Sequence, residues 1–162
     1  MSSHMQAPQQ DRKCPAWLPA ILCVLIAVSP ITAAAAARTL FAFNPLPNIG
    51  EQATGSHPDG TLLRDASGAL YGAAMLSGKY YNGTIFKLTP PAPGRTSWTM
   101  SVLYTFTGGF DGGLPNAALV MDGSGALYGT AQSGGPWPNQ GLVFKLTPPT
   151  HGSTQWKETV LH

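Results

Sequence analysis

From residue 98 to residue 106 apolar and polar side chains alternate. Trp98, Met100, Val102, Tyr104 and Phe106 fall on one side, with Thr99, Ser101, Leu103 and Thr105 on the other. A period of two predicts an extended strand with one apolar face, because successive side chains of a strand point to opposite sides. The alternation returns at Trp156, Glu158, Val160 and His162, with Glu158 in the place of Met100. Shorter apolar runs predict further strands at 117–121, 126–131 and 142–147, separated by a turn at 122–125 and a long loop at 132–140. A second set falls at 60–64, 69–74 and 84–89, with a turn at 65–68 and a loop at 75–83. Beyond Arg38 no stretch carries a helical period.

The two sets are copies of one unit. DASGALY at 65–71 recurs as DGSGALY at 122–128, displaced by 57 positions, and TIFKLTPP at 84–91 recurs as LVFKLTPP at 142–149, displaced by 58. Asp-x-Ser-Gly makes a turn because Asp bonds its own backbone two residues on and Gly accepts a positive φ. Asn82-Gly83 is a second turn signal of the hairpin kind. Pro90-Pro91 and Pro148-Pro149 end their strands, since proline cannot donate to a ladder. Each unit therefore holds about four antiparallel strands, and short strands repeated at a fixed period fit a propeller blade better than a sandwich. The predicted fold is all-β: two tandem four-stranded antiparallel blade-like units, an incomplete β-propeller, preceded by an N-terminal signal helix.

The first 37 residues are of another kind. Arg12 and Lys13 precede an apolar run from 20 to 28, and alanines at 33–37 supply a small-residue cleavage site. This is the layout of a secretory signal. Residues 1–37 are thus read as leader and signal peptide and 38–162 as the β-repeat domain, with repeat 1 at about 39–97 and repeat 2 at about 98–162. The expected location is extracytoplasmic, in the periplasm, at the cell surface or secreted. Membrane association follows only if the segment stays uncleaved, since 14–37 is uncharged and long enough to cross a bilayer. Both cysteines, Cys14 and Cys23, fall inside it, so the domain has no disulfide or thiol-based metal site. Cys23 lacks the small preceding residue of a lipidated cysteine.

Composition narrows the function classes. Charged residues make up 10% of the chain and the net charge is +2, too little clustered basic charge for a nucleic-acid partner. Gly 19 and Pro 15 agree with a turn-rich protein.

Leu127-Tyr128-Gly129-Thr130, then Gly134-Gly135, then Gly141-x-Val143-Phe144-Lys145-Leu146-Thr147-Pro148 resembles the tandem GloVer repeats of choice-of-anchor bacterial surface and secreted proteins. The first copy departs at Ala73, Ser77-Gly78 and Ile85. The resemblance covers about 39–162 and implies a propeller-like extracytoplasmic repeat protein without an assigned activity, so it carries over no catalytic residues. Such proteins are long arrays, and two units cannot close a ring. Two expectations stay open: a truncated member of a longer array, or copies that self-associate to complete a propeller. Residues 40–43 align with 103–106 and are expected to form a strand fragment of the first unit.

No catalytic constellation stands out, and no cofactor is implied. Asp65 and Asp122 offer carboxylates for calcium, but the late oxygen ligands of such a loop are lacking and Ala69 and Ala126 follow the glycine. They read as turns, as does Asp111. Aromatic rings could form platforms for a glycan: Trp137, held between prolines in a Gly-rich loop, Tyr80 and Tyr81 in the corresponding loop, and Tyr71 and Tyr128 beside them. Trp98 and Trp156 read as core. Lys87 and Lys145 read as solvated strand positions. Glu51, His57 and Asp59 share a loop and could form an acid/base group, though no nucleophile recurs with them. The leading expectation is a non-enzymatic interaction or structural module. The alternatives are a carbohydrate-binding, lectin-like oligomer and a secreted hydrolase.

Overall fold

Nine strands occur among the described residues, which are 37–43, 53–137, 140–150 and 152–162 of the computed structural model. They belong to one compact unit, Ala37–His162. The signal segment and Glu51 lie outside the described residues. The strands are β1 Ser56–Arg64, β2 Leu70–Leu76, β3 Thr84–Thr89, β4 Thr99–Thr105, β5 Gly113–Pro115, β6 Val120–Met121, β7 Leu127–Ser133, β8 Leu142–Thr147 and β9 Lys157–Val160. They form two antiparallel sheets, ordered β1-β2-β3-β4 and β5-β7-β8-β9, with β6 also paired to β7. The described fold is all-β, as the alternation requires.

The second sheet has five strands because the counterpart of β1 is broken in two. Residues 113–121, which align with 56–64, supply β5 and β6, and both pair with β7. The same place is irregular in β1, whose register against β2 shifts between Asp59 and Leu63. Both copies carry a non-glycine residue at positive φ just before a proline: His57 at 54° and Leu114 at 53°. Pro58 and Pro115 keep their places opposite Ala74 and Ala131, and the irregularity follows them, as a register shift after Asp59 in the first copy and as the gap between β5 and β6 in the second. Loop-forming residues in His57-Pro58-Asp59-Gly60 disguise this strand, and it begins earlier than the sequence suggests.

A bulge also divides the long alternating strand. In the β3–β4 pair Ile85 faces Tyr104 and Phe86 faces Val102, leaving Leu103 as the extra residue. One extra residue reverses which side the following side chains occupy. Trp98 and Met100 pack with Ala74, Phe86 and Leu88 on the outer side of the first sheet. Tyr104 and Phe106 join the core shared by the two sheets instead. The expected single apolar face is therefore two faces in succession.

That shared core contains Ala69, Tyr71 and Ile85 from the first sheet and Leu119, Leu127, Phe144 and Leu146 from the second. Its aromatic contacts repeat. Phe106 meets Phe144 edge-on at 5.2 Å and 65°, and Phe43 meets Phe86 at 5.2 Å and 64°. Each second ring lies opposite a glycine, Gly72 across from Phe86 and Gly129 across from Phe144. A Cβ on either glycine would stand 2.6 Å from the ring. Glycine here lets the phenylalanine lie flat across the neighbouring strand. Residues 40–43 attach through these rings and not through a strand ladder, so the expected strand fragment is replaced by a ring contact.

Candidate functional site

The side-chain arrangement that recurs in both copies is built on the Asp-x-Ser-Gly turn. Asp65 Oδ1 accepts from Ser67 N at 2.9 Å, Ser67 Oγ at 2.6 Å and Ala69 N at 3.0 Å, while Oδ2 accepts from the Tyr71 hydroxyl at 3.0 Å. Asp122 repeats this with Ser124 N at 2.9 Å, Ser124 Oγ at 2.6 Å, Ala126 N at 3.0 Å and Tyr128 at 2.8 Å. Lys87 Nζ lies 5.1 Å from the centre of the Tyr71 ring, and Lys145 Nζ 5.4 Å from that of Tyr128. Both lysines are half-buried, each with its ammonium over a tyrosine ring, a contact that the reading as solvated strand positions did not include. Register explains the meeting, since Tyr71 faces Lys87 and Tyr128 faces Lys145 across their ladders. Each carboxylate is occupied by four donors. It closes a turn and fixes a tyrosine.

These bonds hold both carboxyls below the usual carboxylate range, the Ser67 hydroxyl being the largest cause for Asp65 and the Ser124 hydroxyl, then Tyr128, for Asp122. A lowered folded-state pKa stabilises the fold above the unfolded pKa and is lost as pH falls through the folded value. Stability is therefore expected to decline below about pH 4. Acid titration of Asp122→Asn followed by fluorescence should show a shallower decline than the parent.

A second cluster joins the copies. Asp111 accepts from the Tyr104 hydroxyl at 3.0 Å, from Thr107 N at 2.9 Å and from Thr107 Oγ1. Burial, then the Asp111 charge, pushes the Tyr104 phenol far above its ordinary range. Asp111 is consumed in a turn, as Asp65 and Asp122 are. Burial, followed by Asp111, also raises the carboxyl of Glu158, whose Oε1 is buried without a hydrogen-bond partner. The raised value means a contribution that is present below the unfolded pKa and lost as pH rises through the folded one. Glu158→Met, which copies Met100, is expected to raise the denaturation midpoint at neutral pH, with the gain vanishing in acid.

The aromatic candidates separate into two environments. Trp137 is 75% exposed, and Tyr80 and Tyr81 are exposed at their loop. Trp137 borders an open hollow of about 660 Å³ with Pro136, Gln140, Gly141 and His162. Tyr71 is buried between the sheets, whereas Tyr128, its counterpart, is half-buried on the outer side of the second sheet. Trp98 and Trp156 pack against the two apolar clusters, as core positions should. Asn82 does more than mark a turn: its Nδ2 donates to Tyr80 O at 2.7 Å and Thr107 O at 2.8 Å, and its own carbonyl accepts from Leu114 N at 2.9 Å. It ties the loop of the first unit to the entry of the second.

Around His57 the structure brings in residues the sequence reading passed over. Ser56 Oγ lies 3.2 Å from His57 Nδ1 and 2.7 Å from Ser77 Oγ. Asp59 bonds its neighbour's Gly60 N at 2.8 Å. The positive φ shared by His57 and Leu114, and by Ser77 and Gly134 (63° and 74°), marks this geometry as part of the repeat backbone. Alignment of the copies is the signal that could have located these positions. Among the described residues no group of three or more His, Cys, Asp or Glu side chains is placed to hold a metal ion.

No curated protein and no solved structure matches the chain. The model of the Gloeobacter/Verrucomicrobia repeat matches residues 28–160, a span that takes in both Asp-x-Ser-Gly turns, both Gly–Phe pairs and both sheets. The chain belongs to the Gloeobacter/Verrucomicrobia repeat family.

Proposed function

We propose that this is an exported, non-enzymatic module of a propeller-type repeat array, working through contacts between units and with surface partners. One observation carries the reading. The recurring polar cluster uses its carboxylate to hold a turn and a tyrosine, and in the first copy that tyrosine is buried against the next unit. What the repeat preserves is a packing element. The layout of residues 12–37 supports export. The test is fractionation with N-terminal sequencing of the mature protein, expected to give an extracytoplasmic chain starting near Arg38, together with hydrolase assays. A turnover that His57→Ala or Asp59→Ala abolishes would overturn the non-enzymatic part, and an intact cytoplasmic chain the exported part.

A carbohydrate-binding role is the second reading, favoured by the exposure of Trp137 beside its hollow. Aromatic faces in such positions suit the apolar face of a sugar ring. A glycan array at known oligomeric state tests it: binding lost in Trp137→Ala supports it, and no binding by any multimer ends it.

A further inference from the structure

We infer that the outer faces of the two sheets are complementary halves of a head-to-tail contact between copies of this chain. The inference rests on the stacking role proposed above and names the partner. Within the unit, the side of the first sheet bearing Tyr71 and Ile85 packs on the side of the second bearing Leu119 and Phe144. Because the sheets are copies, each also carries the other's interface on its far side. Leu62 and Phe86 of the first sheet correspond to Leu119 and Phe144, and Tyr128 and Val143 of the second correspond to Tyr71 and Ile85.

Exposure shows which surfaces are covered and which are not. Leu119 is 5% exposed while its counterpart Leu62 is 45% exposed; Ile85 is 0% exposed and its counterpart Val143 is 37% exposed. On the first sheet, among the described residues, Phe41 and Phe43 lie over the outer cluster, and a cavity of about 360 Å³ remains, bordered by Phe43, Leu62, Phe86 and Leu88. On the second sheet the Asp122–Tyr128–Lys145 arrangement is fully formed on the outer side. In the first sheet the same arrangement sits against the next unit. The occupant is therefore stated by the molecule's own interior: the Tyr128 face of one copy takes the place on the Phe86 face of another that the Tyr71 face takes on the Phe144 face.

Such a contact joins two different surfaces, so it closes into a ring or runs on as a filament. Rings of about four to eight units correspond to about two to four copies.

The experiment is the mass of the full chain in solution by analytical ultracentrifugation, for the parent, Leu62→Lys and Val143→Lys, whose like charges repel across the doubly substituted contact. The parent is expected to be a multimer. Either substitution leaves a charge in the contact and is expected to raise the apparent dissociation constant by about a hundredfold or more. An equimolar mixture of the two variants retains one intact contact per pair and should give a dimer and nothing larger. Far-UV circular dichroism checks folding, and Leu62→Ser with Val143→Thr replace the charged variants if either unfolds. A monomeric parent, masses unaffected by the substitutions, or a mixture that behaves as each variant alone would overturn the inference. None of these would touch the packing between the two sheets of one chain, which has its own tests below.

Discussion

Phe106→Ala is expected to lower the unfolding free energy by about 3–5 kcal/mol, a large share of the roughly 5–15 kcal/mol typical of a domain. Phe106 is fully buried, follows the last residue of β4, and places its ring against Phe144 of the second sheet and Tyr104 of its own. It reaches there because the bulge at Leu103 turns the end of β4 toward the second unit. Removing the ring takes away apolar burial and leaves a void between two sheets that ladders on both sides prevent from collapsing. Phe43→Ala removes the equivalent contact on Phe86, where the ring is only half-buried, and should cost clearly less. Urea denaturation of both variants checks the order.

Gly83→Ala is expected to be comparably damaging by a different route. Gly83 has φ +87°, and a Cβ there would stand 2.6 Å from Ala74 O, Met75 O and the Pro115 ring. Two of those atoms are backbone and cannot step aside. The conformation alone costs a non-glycine residue about 1–3 kcal/mol, and the overpacking adds about 1–3 kcal/mol. The residue also ties two segments, donating to Ser77 O at 3.0 Å and accepting from Phe106 N at 3.1 Å. Gly94 separates the contributions, since its φ is +78° with nothing within 4 Å of a Cβ. Gly94→Ala should show the conformational cost only, and the difference in denaturation midpoint between the two variants measures the clash.

Local chemistry made much of this fold legible. Period-two patterning located β4 and its copy, short apolar runs located β2, β3 and theirs, and Asp-x-Ser-Gly located turns whose carboxylates hold the expected backbone N–H groups. What stayed hidden depends on neighbours. Leu103 carries no mark of a bulge, because a bulge is a mismatch between two strands and not a property of one. The start of β1 reads as a loop because Pro58, Asp59 and Gly60 are loop formers wherever pairing does not overrule them. Tyr71 and Tyr128 stand in nearly identical heptapeptides, yet one is buried and the other half-exposed. Only the presence of a following unit distinguishes them. For the same reason both tyrosines read as glycan platforms in the sequence, although Tyr71 lies under the second sheet.

Comparison of Tyr71→Ala with Tyr128→Ala by equilibrium unfolding, at a dilution where the chains are single, bears most directly on the idea that the repeated cluster is an element of unit-on-unit packing. Tyr71→Ala should lose about 3–5 kcal/mol, as for a large buried aromatic ring, and Tyr128→Ala should lose no more than about half as much, because among the described residues no second sheet packs over it. Equal losses would contradict that idea, since a cluster serving only its own turn would matter alike in both copies.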